Sequence, residues 1–402
     1  MFVLARVAGV MPGGSGIAGY YYRFKLKCVR WVGTHVLGLD EPLTHLRSNS
    51  GDQLFDWIQV VTLLGLALIV AAFWVFFDRA NRSERIAVEL VRIVVRFRLG
   101  VTMLGYGIDK ILRRQMPEPD MLKLLQPYGE SSPMGLLWTF MGQSWAYSAF
   151  TGALELLGGL LLLFRRTTTL GALIVVAVMA NVLMLNFGFD VPVKLYSIHY
   201  LVFAAALVMV DLRRVADVFV FNHATLPVPS TSIWPQGRAT RLVRVIHIVA
   251  VGGILWYVPV QRSVRWAERS GPTTSELAGL YDVVSFSRAG IEAPPLITDT
   301  ARWRRVAFDE RGMVTIVFMN DARINFRFQP GPRTGVFMLE PFEGAYARGE
   351  VFTYVRDGAE RLSIKGALNH APVQIELRRA DDQKLLLRNR GFRWITDYDL
   401  NR

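Results

Sequence analysis

The sequence predicts an α-helical polytopic membrane bundle followed by a small all-β meander barrel or sandwich. Three observations carry this expectation. Long uncharged apolar stretches recur between residues 57 and 260, short runs from Trp303 onward alternate with period two, and charge is scarce. Charged residues make up 20% of the 402 and apolar residues 52%, whereas an average soluble chain is about 25% charged. A disordered tail and an ordinary soluble enzyme are both excluded by that balance. The formal charge of +13 divides into +9 for residues 1–261 and +4 for 262–402. Arginines stand beside the apolar runs, where they meet anionic headgroups, so the expected partner is a lipid bilayer rather than nucleic acid. Cys28 is the single cysteine, which excludes an intrachain disulfide, a Cys-x-x-Cys pair, a Cys-ligated iron-sulfur cluster and covalent haem.

Six stretches approach the roughly 20 residues that cross hydrocarbon, near 57–77, 90–112, 146–164, 169–189, 196–212 and 243–260. The chain start, MFVLARVAGVMPGG, is too short to cross before Pro12 and reads as interfacial. One set of connecting loops holds Arg79, Arg82, Arg85, Arg165, Arg166, Arg213, Arg214, Arg238 and Arg241; the other short loops hold Arg113, Arg114, Lys123 and Lys194. The positive-inside rule makes the first set cytoplasmic and the C-terminal domain exterior. It also leaves the cationic segment Arg23–Arg30 outside, against the rule. The expected division is an N-terminal segment at 1–56, a first span with its loop at 57–87, a membrane core at 88–222, a linker and last span at 223–261 and a β domain at 262–402.

In the C-terminal region the runs RRVAFDE, MVTIVFMN, RINFRFQ, TGVFMLE, EVFTYVRD, RLSIKG, VQIELRR and KLLLRN read as eight strands. Turn groups such as Asn320-Asp321, Pro330-Gly331-Pro332 and Asp357-Gly358 separate them. Eight strands suffice for a closed barrel, whose interior either fills with side chains or holds an apolar ligand. The terminal RGFRWITDYDLNR is expected to cap it.

Ionisable groups inside spans are expensive unless paired or facing a cavity, so they are the candidate functional residues. Glu89, Arg92, Arg96, Met103, Tyr106 and Lys110 share one helical face. Asp109 and Lys110 stand near the exterior end, where an interfacial ion pair is the plain reading. Glu155 is the sole charge between Pro133 and Arg165, among Gly152, Gly158 and Gly159. It is either a proton carrier with a raised pKa or a static lock held by Arg92 or Lys110. Asn181 and Asn186 are polar in an apolar span, and Asp190, Lys194 and His199 gather around Pro192 at one depth. Arg92, Arg96, Tyr106, Asp109, Lys110, Glu155, Asn181, Asn186, Asp190, Lys194 and His199 therefore form the candidate polar site. No metal cluster or catalytic triad is visible in the C-terminal domain, where His370 is the only histidine. His199 and His247 lie at opposite depths, which argues against a shared haem. Trp138, Phe140, Trp145 and Tyr147 read as an interfacial aromatic belt.

The helix pattern RFRLGVTMLGYGIDKIL, the block ELLGGLLLLFRRTTTLGAL and the block NVLMLNFGFDVPVKLYSIHYL, closed by DLRR at Asp211, resemble the DoxX-like family of four-helix membrane proteins. The likeness covers roughly residues 90–222, and the chain looks like a long bacterial form with an added exterior β domain. It implies the bacterial inner membrane, with the β domain periplasmic, and by family association a link to quinone. A four-helix core with an exterior β domain is also similar in architecture to vitamin K-using membrane carboxylases. Two functions follow as expectations. One is a non-enzymatic membrane module whose β domain binds a membrane or periplasmic protein or lipid; the other is a quinone-linked redox component with a polar intramembrane site.

Overall fold

The computed structural model describes residues 14–39, 51–77, 82–225, 238–269, 276–309, 312–331, 333–341, 349–368, 370–381 and 384–389. The expected cap at 390–402 and the chain start at 1–13 lie outside the described residues. The helices are α1 (Gly14–Trp31), α2 (Leu54–Phe77), α3 (Arg82–Ile111), α4 (Met121–Leu125), α5 (Pro133–Gln143), α6 (Trp145–Leu162), α7 (Thr168–Gly188), α8 (Lys194–Met209), α9 (Leu212–Phe219), α10 (Arg238–Arg269) and α11 (Leu386–Asn389). The strands are β1 (Gly279–Arg288), β2 (Ile291–Glu292), β3 (Trp303–Phe308), β4 (Met313–Phe318), β5 (Arg323–Pro330), β6 (Val336–Pro341), β7 (Glu350–Asp357), β8 (Arg361–Leu368) and β9 (Ala371–Arg379).

Among the described residues, four helical segments are long and apolar enough to cross a bilayer: Leu54–Phe77, Trp145–Leu162, Arg165–Gly188 and Arg241–Ala267. A fifth would be α8 joined to α9, which bends by 76° at the break. The expected span near 90–112 forms a helix, but Arg92, Arg96, Arg98, Asp109 and Lys110 give it more charge than the four apolar spans carry. Hydropathy alone cannot decide its depth, because its charges must first be given partners.

Packing contacts divide the chain into two units: Leu154–Gly252 joins the part ending at Leu104, and Gly105–Ala153 joins the part from Gly253 onward. In the first unit glycines set helix approach. A Cβ on Gly159 of α6 would lie 2.9 Å from the Gly100 carbonyl oxygen and the Leu104 nitrogen of α3. A Cβ on Gly171 of α7 would lie 3.0 Å from the Gly158 carbonyl oxygen. Small residues permit this backbone contact, which larger side chains would push apart. In the second unit Gly152 plays the same part against the Gly107 carbonyl oxygen, 2.8 Å from an added Cβ.

That second unit contains the barrel. Strands β3 to β9 form a continuous antiparallel meander, and β1 closes it by pairing with both β3 and β9. The result is a closed eight-strand antiparallel barrel, with β2 a short hairpin appendage on β1. Ala289 (φ 52) and Gly290 (φ 79) make that two-residue turn, and positive φ at both positions is the type I′ geometry that matches strand twist. The interior is packed: Phe328 and Phe337 stack at 5.3 Å, Phe337 and Phe352 at 5.5 Å, and Trp303 meets Phe352 at 6.1 Å. Of the two interiors the sequence allowed, the structure has the filled one.

Two strand assignments change. The first barrel strand is β1, upstream of Trp303, and KLLLRN contributes the helical turn α11 rather than a strand. In β1 the pairing register shifts between Val283 and Ser285, so the apolar residues Tyr281, Val283 and Phe286 break period two. A bulge of this kind hides a strand from pattern reading and adds the twist that closure needs. KLLLRN has three consecutive leucines and no alternation, and leucine favours helix.

Around the barrel flank, Met121 of α4 packs on Leu280 and Ala307, with Leu124, Leu125, Ala380 and Leu385 beside them. Asp120 caps α4 through the Lys123 amide at 2.9 Å. Arg323 on β5 donates to the Leu125 carbonyl at 3.2 Å and pairs with Glu130. The connection between α3 and α6 is thus bound to the barrel.

Candidate functional site

The predicted polar residues separate into three groups, each held by its own partners. The first joins α3 to the ends of α6 and α8. Arg92 reaches Asp211 at 3.4 Å and Glu89 at 3.9 Å, and Glu89 also receives Arg165 at 3.6 Å. Asp211 follows the last turn of α8, accepts from the Thr169 hydroxyl and lies 3.9 Å from Arg214. Arg96, one turn along α3 from Arg92, is only 7% exposed, and its guanidinium stands 5.0 Å from the centre of the Phe97 ring. His247 of α10 meets Phe97 at 5.7 Å and Phe164 at 6.5 Å.

The second group surrounds the start of α8. Asp52, just before α2, accepts the Lys194 amide at 2.5 Å and the Leu195 amide at 2.8 Å. A carboxylate there satisfies orphan amides and sits at the positive end of the helix dipole. Asp190, at φ 50, pairs with Lys194 Nζ at 2.8 Å. Buried Asn186 donates to Ser197 at 3.1 Å. His199 is satisfied within its own helix, with Nδ1 2.6 Å from the Leu195 carbonyl oxygen. Asn181 is exposed and joins none of these. Thr169 and Asn186 are 17 residues apart along α7, about 26 Å at helical rise, so Arg92 and Arg96 do not share a site with Asp190, Lys194 and His199.

The third group lies in the second unit. Asp109 pairs with Arg262 of α10, whose guanidinium is 6.0 Å from the Tyr106 ring centre. Arg114 donates to Ser263 at 3.1 Å. Lys110, beside them on α3, is 5% exposed, and an added Cβ on Gly152 would lie 2.8 Å from its Cβ. Glu155, of the first unit, is 2% exposed. Glu155, Lys110 and Arg96 are thus each buried within their own surroundings.

Sequence reading did not single out Asp52, Asp211, Thr169 or Arg262. Asp211 was visible as the start of DLRR, and Arg262 as the first cation after the last apolar stretch. Asp52 stood in a polar stretch with no periodicity to mark it.

Among the described residues no group of three or more His, Cys, Asp or Glu is arranged to hold a metal ion. Of the belt residues, Phe140 and Tyr147 contact at 5.4 Å, and Trp145 donates from its indole to the Ile111 carbonyl at 3.1 Å.

No protein-family model matches the chain, and no solved structure matches it. A Bacillus subtilis protein described as uncharacterized, YwoB, is 28% identical over 145 residues. The match covers 35% of this chain and 90% of that relative.

Proposed function

We propose that the protein is a non-enzymatic membrane module: six helices cross a bacterial inner membrane and carry the packed β-barrel on the periplasmic side, as a docking surface for a protein or lipid partner. The observation that supports six crossings is the agreement between chain parity and loop contacts. If α2, α3, α6, α7, α8 and α10 all cross, Asp52 and the 190–195 turn fall on one side, where they bond. Glu89, Arg92, Arg165 and Asp211 fall together on the other side, where they pair. The 112–144 connection and the barrel return to the first side, where Arg323 meets Leu125. Removing α3 or α8 from the set of crossing helices would separate partners that touch. This reading keeps the DoxX-like resemblance of residues 90–222, with α3, α6, α7 and α8 as its four helices.

The structural role of the charges rests on their partners. Asp109 is paired with Arg262 and Asp211 with Arg92, an arrangement that suits a lock between helices. The quinone-linked alternative rests on Glu155, buried in α6, or on His199 of α8 as the proton-handling group.

Single cysteines at Ser287 on β1 and Arg166 between α6 and α7, with Cys28 replaced by serine, test the topology. A membrane-impermeant maleimide applied to intact spheroplasts is expected to label position 287 and spare 166. The reverse pattern, or equal labelling, overturns the reading. For the module itself, protein extracted in mild detergent is expected to carry no stoichiometric quinone. Stoichiometric quinone lost in Glu155→Gln would transfer support to the redox reading.

A further inference from the structure

We propose that Arg92, Arg96 and Arg165, at the end of the bundle where α3 meets the end of α6, form a binding site for a phosphate group, and that its natural source is an anionic phospholipid headgroup. The argument starts with Arg96. It is 93% buried, and its Nε has no hydrogen-bond partner among the described residues. It stands over the face of Phe97, and of the charges that act on it Arg92 and Arg165 are cationic while Glu89 is an opposing carboxylate.

A guanidinium carries five donors in a planar fork and is always charged, so burying it without an acceptor is strongly unfavourable. Carboxylates nearby are already engaged. Glu89 is shared between Arg92 and Arg165, and Asp211 between Arg92, Arg214 and Thr169. Among the described residues, Arg92, Arg165 and Arg214 share Glu89 and Asp211, and both Arg92 and Arg165 act as like charges on the buried fork of Arg96. An arriving anion with several acceptor oxygens would satisfy both deficits, and a phosphate matches the fork bidentately.

The walls distinguish between phosphate sources. Phe97, Phe164 and His247 form an aromatic surface beside Arg96. Phe164 is 44% exposed and the nearby α10 residues Ile246, Ile248 and Val249 are 57%, 68% and 66% exposed, so an acyl chain can run along them while the headgroup turns inward. A free phosphate would use the arginines and leave that apolar surface uncovered.

The test uses the full-length protein in mild detergent, titrated separately with phosphatidylglycerol, phosphatidylcholine and inorganic phosphate. Bound adducts are read by native mass spectrometry and the thermal midpoint is followed in parallel. Phosphatidylglycerol is expected to give a one-to-one adduct and raise the midpoint by several degrees. Arg96→Met is expected to abolish both while leaving the ligand-free midpoint unchanged or higher, because a buried donor without an acceptor has been removed. Arg98→Gln, on the exposed side of α3, is expected to behave as wild type. An Arg96-dependent shift with inorganic phosphate alone would support the phosphate site and overturn the lipid as its source. A lower ligand-free midpoint in Arg96→Met with an unchanged lipid shift would overturn the proposal, as would no adduct with any probe.

Discussion

The barrel and helix α2 use the same side chains in opposite directions. Inside the barrel Phe337 and Phe352 are 1% and 0% exposed, whereas Phe73, Phe76 and Phe77 on α2 are 61%, 74% and 75% exposed. In water an arrangement like that of α2 would collapse or aggregate, since exposed apolar patches of this size mark an interaction surface. The barrel encloses its phenylalanines, whereas α2, long and apolar enough to cross a membrane, displays them, so the lesson lies in where each element puts its phenylalanines rather than how many it has. Charge follows the same inversion. On the barrel surface Arg305 bonds Asp282 at 2.7 Å and is 35% exposed, while among the helices Lys110, Glu155 and Arg96 are buried.

That contrast can be broken most visibly by truncating one phenylalanine in each region. Phe352→Ala is expected to destabilise the barrel by about 3–5 kcal/mol, through lost burial and the cavity left behind. Phe76→Ala is expected to change stability by less than about 1 kcal/mol in detergent, because its ring meets Phe77, which is as exposed as itself. Denaturant unfolding followed by tryptophan fluorescence, with Trp303 in the barrel core, separates the two. Equal effects would remove the distinction.

Next in size is Gly159→Leu, expected to cost about 1–3 kcal/mol as α3 and α6 are forced apart. The same change at Gly65 of α2, where an added Cβ meets nothing within 4 Å, should be neutral. Thermal midpoints of the two variants in one detergent make the comparison.

The smallest expected effect is a pH dependence of the barrel. Burial, together with the Glu276 carboxylate 3.4 Å from its hydroxyl, pushes the Tyr354 phenol above its ordinary value. The folded barrel then holds a proton that the unfolded chain releases near pH 10, so this contribution is full below that pH and is lost as pH rises through the folded value. Tyr354→Phe is expected to flatten the alkaline limb of stability against pH. An unchanged limb would show that the phenol titrates alike in both states.

Legibility in the sequence followed local regularity. The apolar runs of α2, α6, α7 and α10 and seven of the eight barrel strands could be read, although β3 carries a register shift of its own at its start, between Trp303 and Arg305. β1 escaped because its bulge shifts the pattern by one residue after Val283. KLLLRN was misread because a short apolar run has no period to separate strand from helix. At the candidate site, spacing put Glu89, Arg92 and Arg96 correctly on one face of α3, since that is local geometry. It could not supply Asp211 or Arg262, which lie 119 and 153 residues from their partners. It also merged groups at opposite ends of α7, because similar chemistry carries no record of depth until the helix ends are fixed.

The central claim is that charges in the helical region are there for one another. A double-mutant cycle on Asp109 and Arg262 measures this most directly, using Asp109→Asn, Arg262→Met and the double variant, with unfolding free energies in mild detergent. The account predicts a coupling of about 1–3 kcal/mol, with the double variant less destabilised than the sum of the singles. Strict additivity, within about 0.3 kcal/mol, would contradict it.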